Sequence, residues 1–290
     1  MKLASSIILY HPDLNEVTKN INSYINSVDK LYIIDNTPNP NIEIENLLKI
    51  SDKIEYHPNY DNFGIAKALN IACNKAIKDG FDWIITFDQD SWCFPNMIEV
   101  LKQIASNHTN VGSVSPVYIP SIEFLEESKK WNKIIQTREV SCVITSGCLT
   151  NLEAYKIANG FDEIYFIDLV DIDFSFKLRE NGYNILVTNE VMMIHSLGES
   201  NFFSLWKDKK IWYSNHSPIR RYYITRNRLY FIKKYNHKYP DFCKTELKKM
   251  SKEAAKILLF ESQKIPKIKA IFYGFFDFYR GISGKTDREF

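Results

Sequence analysis

Strand-like and helix-like segments alternate along the first ninety residues of the chain, and this alternation restricts the fold more than any other feature. LASSIILY (3–10), KLYIID (30–35), KIEYH (53–57) and FDWIITF (81–87) are apolar, β-rich runs bounded by Asn, Asp and Pro. Between them, LNEVTKNINSYINSV, IEIENLLKI and IAKALNIACNKAIKDG place apolar residues at helical spacing. The last of these ends on Gly80, which suits a helix C-terminus. Strands joined through helices run parallel with right-handed crossovers, so an α/β fold with a mostly parallel sheet is expected. Ligands in such sheets bind beyond the carboxyl ends of the strands, where Tyr10, Asp35 and Asp88 fall.

From about residue 110 the pattern is mixed. VGSVSPVY, VSCVITSG and YNILVT read as strands, with a helix near 169–181. After about 200 only helices are expected, punctuated by Pro240 and Pro266. A boundary near 200 therefore divides an α/β domain (1–200) from a helical extension (201–290). Charge divides at the same place. Residues 1–202 carry 16 Lys and Arg against 27 Asp and Glu, a net of −11, whereas residues 203–290 carry 21 against 8, a net of +13. The basic segment 244–280 interleaves Lys with Leu, Ile, Phe and Tyr. It suits either an anionic membrane interface or packing against the α/β domain or a second subunit.

A chain of 290 residues with 45% hydrophobic content buries a sizeable core and is neither disordered nor fibrous. It has no uncharged apolar run long enough to span a membrane. Its five cysteines (73, 93, 142, 148 and 243) lack zinc or redox spacing and read as reduced core residues of a cytoplasmic protein.

The residues suited to chemistry lie at the segment ends. In FDQDS (87–91), Asp88 and Asp90 stand at i and i+2, which on a strand points both carboxylates to one face. Such a pair repels unless a cation or proton relieves it, although Asp-rich turns after strands are common. Asp35 in IIDNT suits either the N–H of a nucleobase or a turn. Asn62 and Gly64 in DNFGIAKALN precede a helix N-terminus that suits a diphosphate. FIDLVDIDF carries Asp168, Asp171 and Asp173, which serve either a helix dipole or a general base. His195 in MMIHSLGE follows an apolar strand as a structural residue or a metal ligand.

Read in order, YHPD, IIDN, NFGIAKALN, FDQDS, ITSGCL, GFDE, IDLVDIDF, IHSLG and RRYYITRN resemble bacterial glycosyltransferase family 2, in its rhamnosyltransferase branch, over roughly residues 3–235. The resemblance implies a GT-A fold: a Rossmann-like mixed central sheet flanked by helices, here with a C-terminal helical extension. It also implies an inverting hexosyltransferase that uses Mg²⁺ or Mn²⁺ and a nucleotide-diphosphate sugar, here dTDP-L-rhamnose. By the same resemblance, Tyr10, Asp35, Asn62, Gly64 and Asp88 bind the nucleotide sugar, while Asp90 and His195 hold the metal. Asp171 or Asp168 is the base, and Val170 stands where the common pattern has Glu. The implied acceptor is a glycan or a lipid-linked molecule of cell-surface polysaccharide synthesis, met in the cytoplasm or at the inner face of the plasma membrane. No nucleic-acid partner is implied, and a homodimer is compatible. Alternatives are a UDP-hexose or UDP-galactofuranose donor, a nucleotidyltransferase, or a catalytically silent nucleotide-sugar-binding protein.

Overall fold

A computed structural model of the protein describes residues 1–40, 44–125, 136–195, 200–204 and 210–290. The chain forms two compact units, Met1–Asp162 with Val170–Ser196, and Glu163–Leu169 with Leu197–Phe290.

The first unit is built on a nine-stranded mixed sheet. In chain order its strands are β1 (Leu3–Leu9), β2 (Lys30–Asp35), β3 (Ile54–Pro58), β4 (Trp83–Asp88), β5 (Trp92–Cys93), β6 (Val111–Ile119), β7 (Thr137–Glu139), β8 (Cys148–Asn151) and β9 (Asn184–Ile194). The spatial order is β3-β2-β1-β4-β8-β6-β9-β5, with β7 also paired to β9. β3, β2, β1 and β4 are mutually parallel, whereas β8 runs antiparallel to β4 and β6. The helices are α1 (Leu14–Tyr24), α2 (Glu45–Leu48), α3 (Ile65–Lys78), α4 (Met97–Asn107), α5 (Leu152–Ile157) and α6 (Val170–Glu180).

Every residue of β1 is buried because helices cover both faces of the parallel segment. Leu3, Ile7 and Leu9 join Val17, Ile21 and Tyr24 of α1 and Leu101 of α4 in the main core, where Tyr24 stacks on Phe87 at 4.1 Å. On α3, small residues (Ala66, Ala68, Ala72, Cys73 and Ala76) form the buried face. Each large aliphatic side chain removed from water contributes about 1.5–3 kcal/mol.

The structure corrects several expectations. VSCVITSG is not a strand: β8 begins only at Cys148. Before it, Gly147 at φ +70 turns the chain and donates its N–H to Thr86 O at 2.7 Å. IEIENLLKI yields one short helix, Glu45–Leu48; residues 41–43 lie outside the described residues. The chain after 200 is not purely helical. An antiparallel hairpin, β10 (Ser200–Ser204) with β11 (Lys210–Ser214), precedes the helices of the second unit.

Those helices are α7 (Pro218–Tyr235), α8 (Pro240–Phe260) and α9 (Lys264–Tyr279). Pro240 opens α8, and Pro266 lies within the first turn of α9, where a missing N–H costs nothing. α7 packs on α9 through small residues. A Cβ at Gly274 would stand 2.9 Å from the backbone oxygen of Tyr222. Three basic side chains of this unit, Arg221, Arg228 and Lys267, are buried and paired with carboxylates. Arg221 meets Glu261 at 2.6 Å, Lys267 meets Glu261 at 2.9 Å, and Arg228 meets Glu246 and Glu253 at 3.0 Å each. Among the described residues, no helix is long and apolar enough to cross a membrane.

Candidate active site

The site assembles at the carboxyl ends of the parallel strands. β4 ends at Asp88, and the chain turns at Gln89 and Asp90, with Ser91 N–H donating to Asp88 O at 3.2 Å. The two carboxylates therefore do not converge by strand alternation, because Asp90 is already in the turn. Gln89 fixes that turn: its Oε1 accepts the Tyr10 N–H at 2.9 Å, and its backbone oxygen accepts from Asn20 Nδ2 at 2.8 Å.

His195 follows β9 and is held by its own N–H to Ile119 O at 3.0 Å. Its Nδ1 lies 3.2 Å from Asp90 Oδ1 and 3.0 Å from Ser91 Oγ, and its Nε2 lies 3.8 Å from Asp88 Oδ2. Ser91 Oγ in turn meets Ser146 Oγ at 2.6 Å, and Ser146 Oγ accepts the Asp88 N–H at 3.1 Å. A buried serine bridge thus ties the imidazole to the aspartate turn. Sequence reasoning missed Gln89, Ser91 and Ser146 as positioning residues, although all three lie inside the FDQDS and ITSGCL motifs.

Burial opposes the charged form of His195, but the Asp90 hydrogen bond and the negative charges of Asp88 and Asp90 outweigh it and raise its pKa. The same two carboxylates would favour a cation. One ligand atom from each of Asp88, Asp90 and His195 lies within 4.8 Å of the others. Two carboxylates and an imidazole suit a divalent ion, with the second nitrogen of the histidine held by a neighbour, as ligating histidines usually are.

The nucleotide-side candidates occupy the adjacent strand ends. The Tyr10 ring is exposed beside His11. Asp35 is only 1% exposed, and both its oxygens are engaged, one by the Thr37 N–H and the other by the Tyr56 hydroxyl, each at 2.8 Å. Asn62 Oδ1 accepts the Gly64 N–H at 3.0 Å and shapes the approach to α3. Gly64 has φ +81, a conformation that costs glycine nothing, and its oxygen accepts from Asn36 Nδ2 at 3.1 Å.

The two base candidates differ in setting. Asp171 lies in the first turn of α6, where its Oδ1 accepts the Ile172 N–H at 2.9 Å. Burial raises the Tyr118 hydroxyl pKa, and the negative charge of Asp171 raises it further. The Tyr118 ring stands edge-on to His195 at 6.1 Å. Burial also pushes the Cys148 thiol up to about 11, with a smaller contribution from Asp171.

Asp168 belongs to the other unit and meets Arg220 Nη2 at 3.2 Å. Its pKa is nonetheless raised, because burial outweighs the pull of Arg220, Arg228 and Arg221. Asp168 and Leu169 both have positive φ, +63 and +66, a costly pair for non-glycine residues. Asn227, fully buried, holds this bend by donating to Ile167 O at 2.7 Å. In the same RRYYITRN motif, Arg226 is fully buried, donates to Gly284 O at 2.7 Å and lies 5.1 Å from the Tyr222 ring centre. As described, the motif supports the second unit, a role its basic composition did not suggest.

Comparison with known proteins identifies the family and the fold. A model of the family "Glycosyl transferase family 2" matches residues 5–155, just over half of the chain. The chain is 29% identical over 250 residues to the dTDP-rhamnosyl transferase RfbF of Shigella flexneri, covering 80% of this chain and 79% of that protein. Among solved structures it resembles GalNAc-T7 with UDP, GalNAc and Mn²⁺ (TM-score 0.62, 13% identity, 97% of this chain), although it spans only 56% of that chain. It also resembles residues 1–349 of S. aureus TarS in complex with UDP-GlcNAc, with a TM-score of 0.61, 13% identity, and coverage of 97% of this chain and 82% of that one. These likenesses carry the GT-A fold. The chain is a glycosyltransferase, and it belongs to glycosyl transferase family 2.

Proposed function

We propose that this enzyme transfers L-rhamnose from dTDP-L-rhamnose, with inversion, to a hydroxyl of a glycan or lipid-linked acceptor in cell-surface polysaccharide synthesis. The observation that carries the donor is the likeness to a dTDP-rhamnosyl transferase across four-fifths of the chain. In this reading residues 1–200 form the catalytic domain and residues 201–290 an accessory extension. Tyr10 and Asp35 lie along the nucleobase, with Asp35 reaching it only if it gives up a partner or adds one. Asn62 and Gly64 follow the nucleotide, and Asp88 faces the ribose or the diphosphate.

Asp90 and His195 would hold Mg²⁺ or Mn²⁺, with Asp88 beside them. When bound, the cation neutralises charge developing on the departing diphosphate. Asp171 accepts the proton of the acceptor hydroxyl as that oxygen forms its bond to the anomeric carbon. The bond from that carbon to the diphosphate oxygen breaks on the opposite face, which inverts the centre without a covalent enzyme intermediate.

Asp90→Asn is expected to lower metal affinity and metal-supported turnover by roughly 10–100-fold or more, a loss seen even for outer partners of metal ligands. Titration of Mn²⁺ against donor turnover measures it, and an unchanged metal requirement would remove Asp90 from the site.

A UDP-linked donor is the second reading, favoured by structural neighbours crystallised with UDP and UDP-GlcNAc. Thermal shift with each nucleotide sugar and Mg²⁺, followed by turnover, separates the two. dTDP-L-rhamnose at about 100 times its dissociation constant is expected to add roughly 2.7 kcal/mol of stability, more than UDP-glucose or UDP-galactose at the same concentration. Stronger stabilisation and turnover with a UDP-hexose would reject the rhamnose donor. Binding without turnover or slow hydrolysis would identify a silent nucleotide-sugar-binding protein.

A further inference from the structure

Helix α9 has two faces of opposite character. Lys267, Ala270, Gly274 and Asp277 are buried, and this face packs on α7. Around the helix from them, Ile265, Ile268, Phe272, Phe275, Phe276 and Tyr279 fall on one stripe at helical spacing, and all are exposed: Ile265 and Tyr279 by 81% each, Phe272 by 64%. A contiguous exposed apolar stripe of this kind marks an interaction surface. Its flanks are basic. Lys264 borders it on one side, and exposed Lys269 and Arg280 border it on the other. The single acidic residue of α9, Asp277, is buried and paired with Arg288 at 2.7 Å, so no carboxylate interrupts the stripe.

We propose that this face of α9 docks on an anionic lipid surface, with the aromatic stripe in the interface and Lys264, Lys269 and Arg280 on the headgroups. Aromatic side chains edged by Lys and Arg on an in-plane helix are the composition such interfaces select. A second copy of the chain fits less well. Antiparallel pairing of two α9 helices about Phe272 would set Lys264 against Arg280 twice, with like charges opposed. Docking would hold the enzyme where a lipid-linked acceptor lies. That consequence rests on the acceptor reading above, whereas the docking itself does not.

Flotation of the full chain with phosphatidylcholine vesicles and with vesicles enriched in phosphatidylglycerol tests the proposal without any sugar donor. The wild type is expected to float with the anionic vesicles at low salt and to lose binding as salt rises. Phe272→Ser with Phe276→Ser is expected to lower partitioning at least about tenfold while leaving thermal unfolding and donor turnover in solution unchanged, because both side chains lie outside the catalytic unit and face solvent. Lys269→Gln with Arg280→Gln is expected to lower binding to anionic vesicles about fivefold per charge removed, without altering binding to neutral ones. Wild-type protein that fails to float with anionic vesicles at low salt would overturn the proposal. So would serine variants that float as the wild type does, or a wild-type dimer that the serine substitutions convert to monomer.

Discussion

Asp171→Asn is expected to slow sugar transfer by about 10²–10⁴-fold while leaving donor and metal binding close to wild type. The exchange is nearly isosteric, and an amide oxygen can still accept the Ile172 N–H that Asp171 Oδ1 now takes at 2.9 Å. What is lost is the ability to take a proton. Asp171 lies in the first turn of α6, where the helix dipole favours an ionised carboxylate. Asp168 is placed differently, its carboxylate already engaged by Arg220 and its backbone strained. Asp168→Asn is expected to weaken that ion pair and leave a larger share of turnover. Single-turnover rates with saturating donor, read beside calorimetric donor affinity, distinguish the two. If Asp168→Asn shows the large rate loss and Asp171→Asn stays active, the roles exchange.

The parallel half of the sheet was legible in the sequence because its strands are buried on both faces and so read as continuous apolar runs, as LASSIILY and FDWIITF do. Elements shaped by distant contacts were not. VSCVITSG has strand composition, yet Gly147 and the bond from its N–H to Thr86 O hold its end as a turn. The residues of the cation-ligand cluster could be named individually, but their convergence spans the 105 positions from Asp90 to His195, which spacing along the chain does not encode. Asp35 was ambiguous for a related reason. Its partner Tyr56 lies 21 residues away on the neighbouring strand, and only the parallel register of β2 and β3 brings them together. Formal charge does not say which charges are buried. Arg221 and Arg228 count toward a basic tail, yet each meets a buried acid, Glu261 and Glu246, that lies 40 and 18 residues further on.

That buried network carries the largest expected effect on stability. Glu261→Gln is expected to destabilise the second unit by about 3–5 kcal/mol, because it removes the charge shared by two buried cations. Glu261 is 3% exposed; its Oε1 accepts from Arg221 Nη2 at 2.6 Å and its Oε2 from Lys267 Nζ at 2.9 Å. After the exchange Arg221 keeps Ser214 O and the carboxylate of Glu253 at 3.4 Å, whereas Lys267 is left on the neutral Asn215 Oδ1, so the uncompensated charge falls chiefly on Lys267. The cost is therefore one of stranded charge rather than of lost packing. It follows that adding Lys267→Met to Glu261→Gln restores part of the loss, since one uncompensated charge is removed with its partner. Denaturant unfolding of the single and double variants forms the required cycle. A single variant within about 0.5 kcal/mol of wild type, the range of ordinary surface substitutions, would show that these charges are solvated rather than buried.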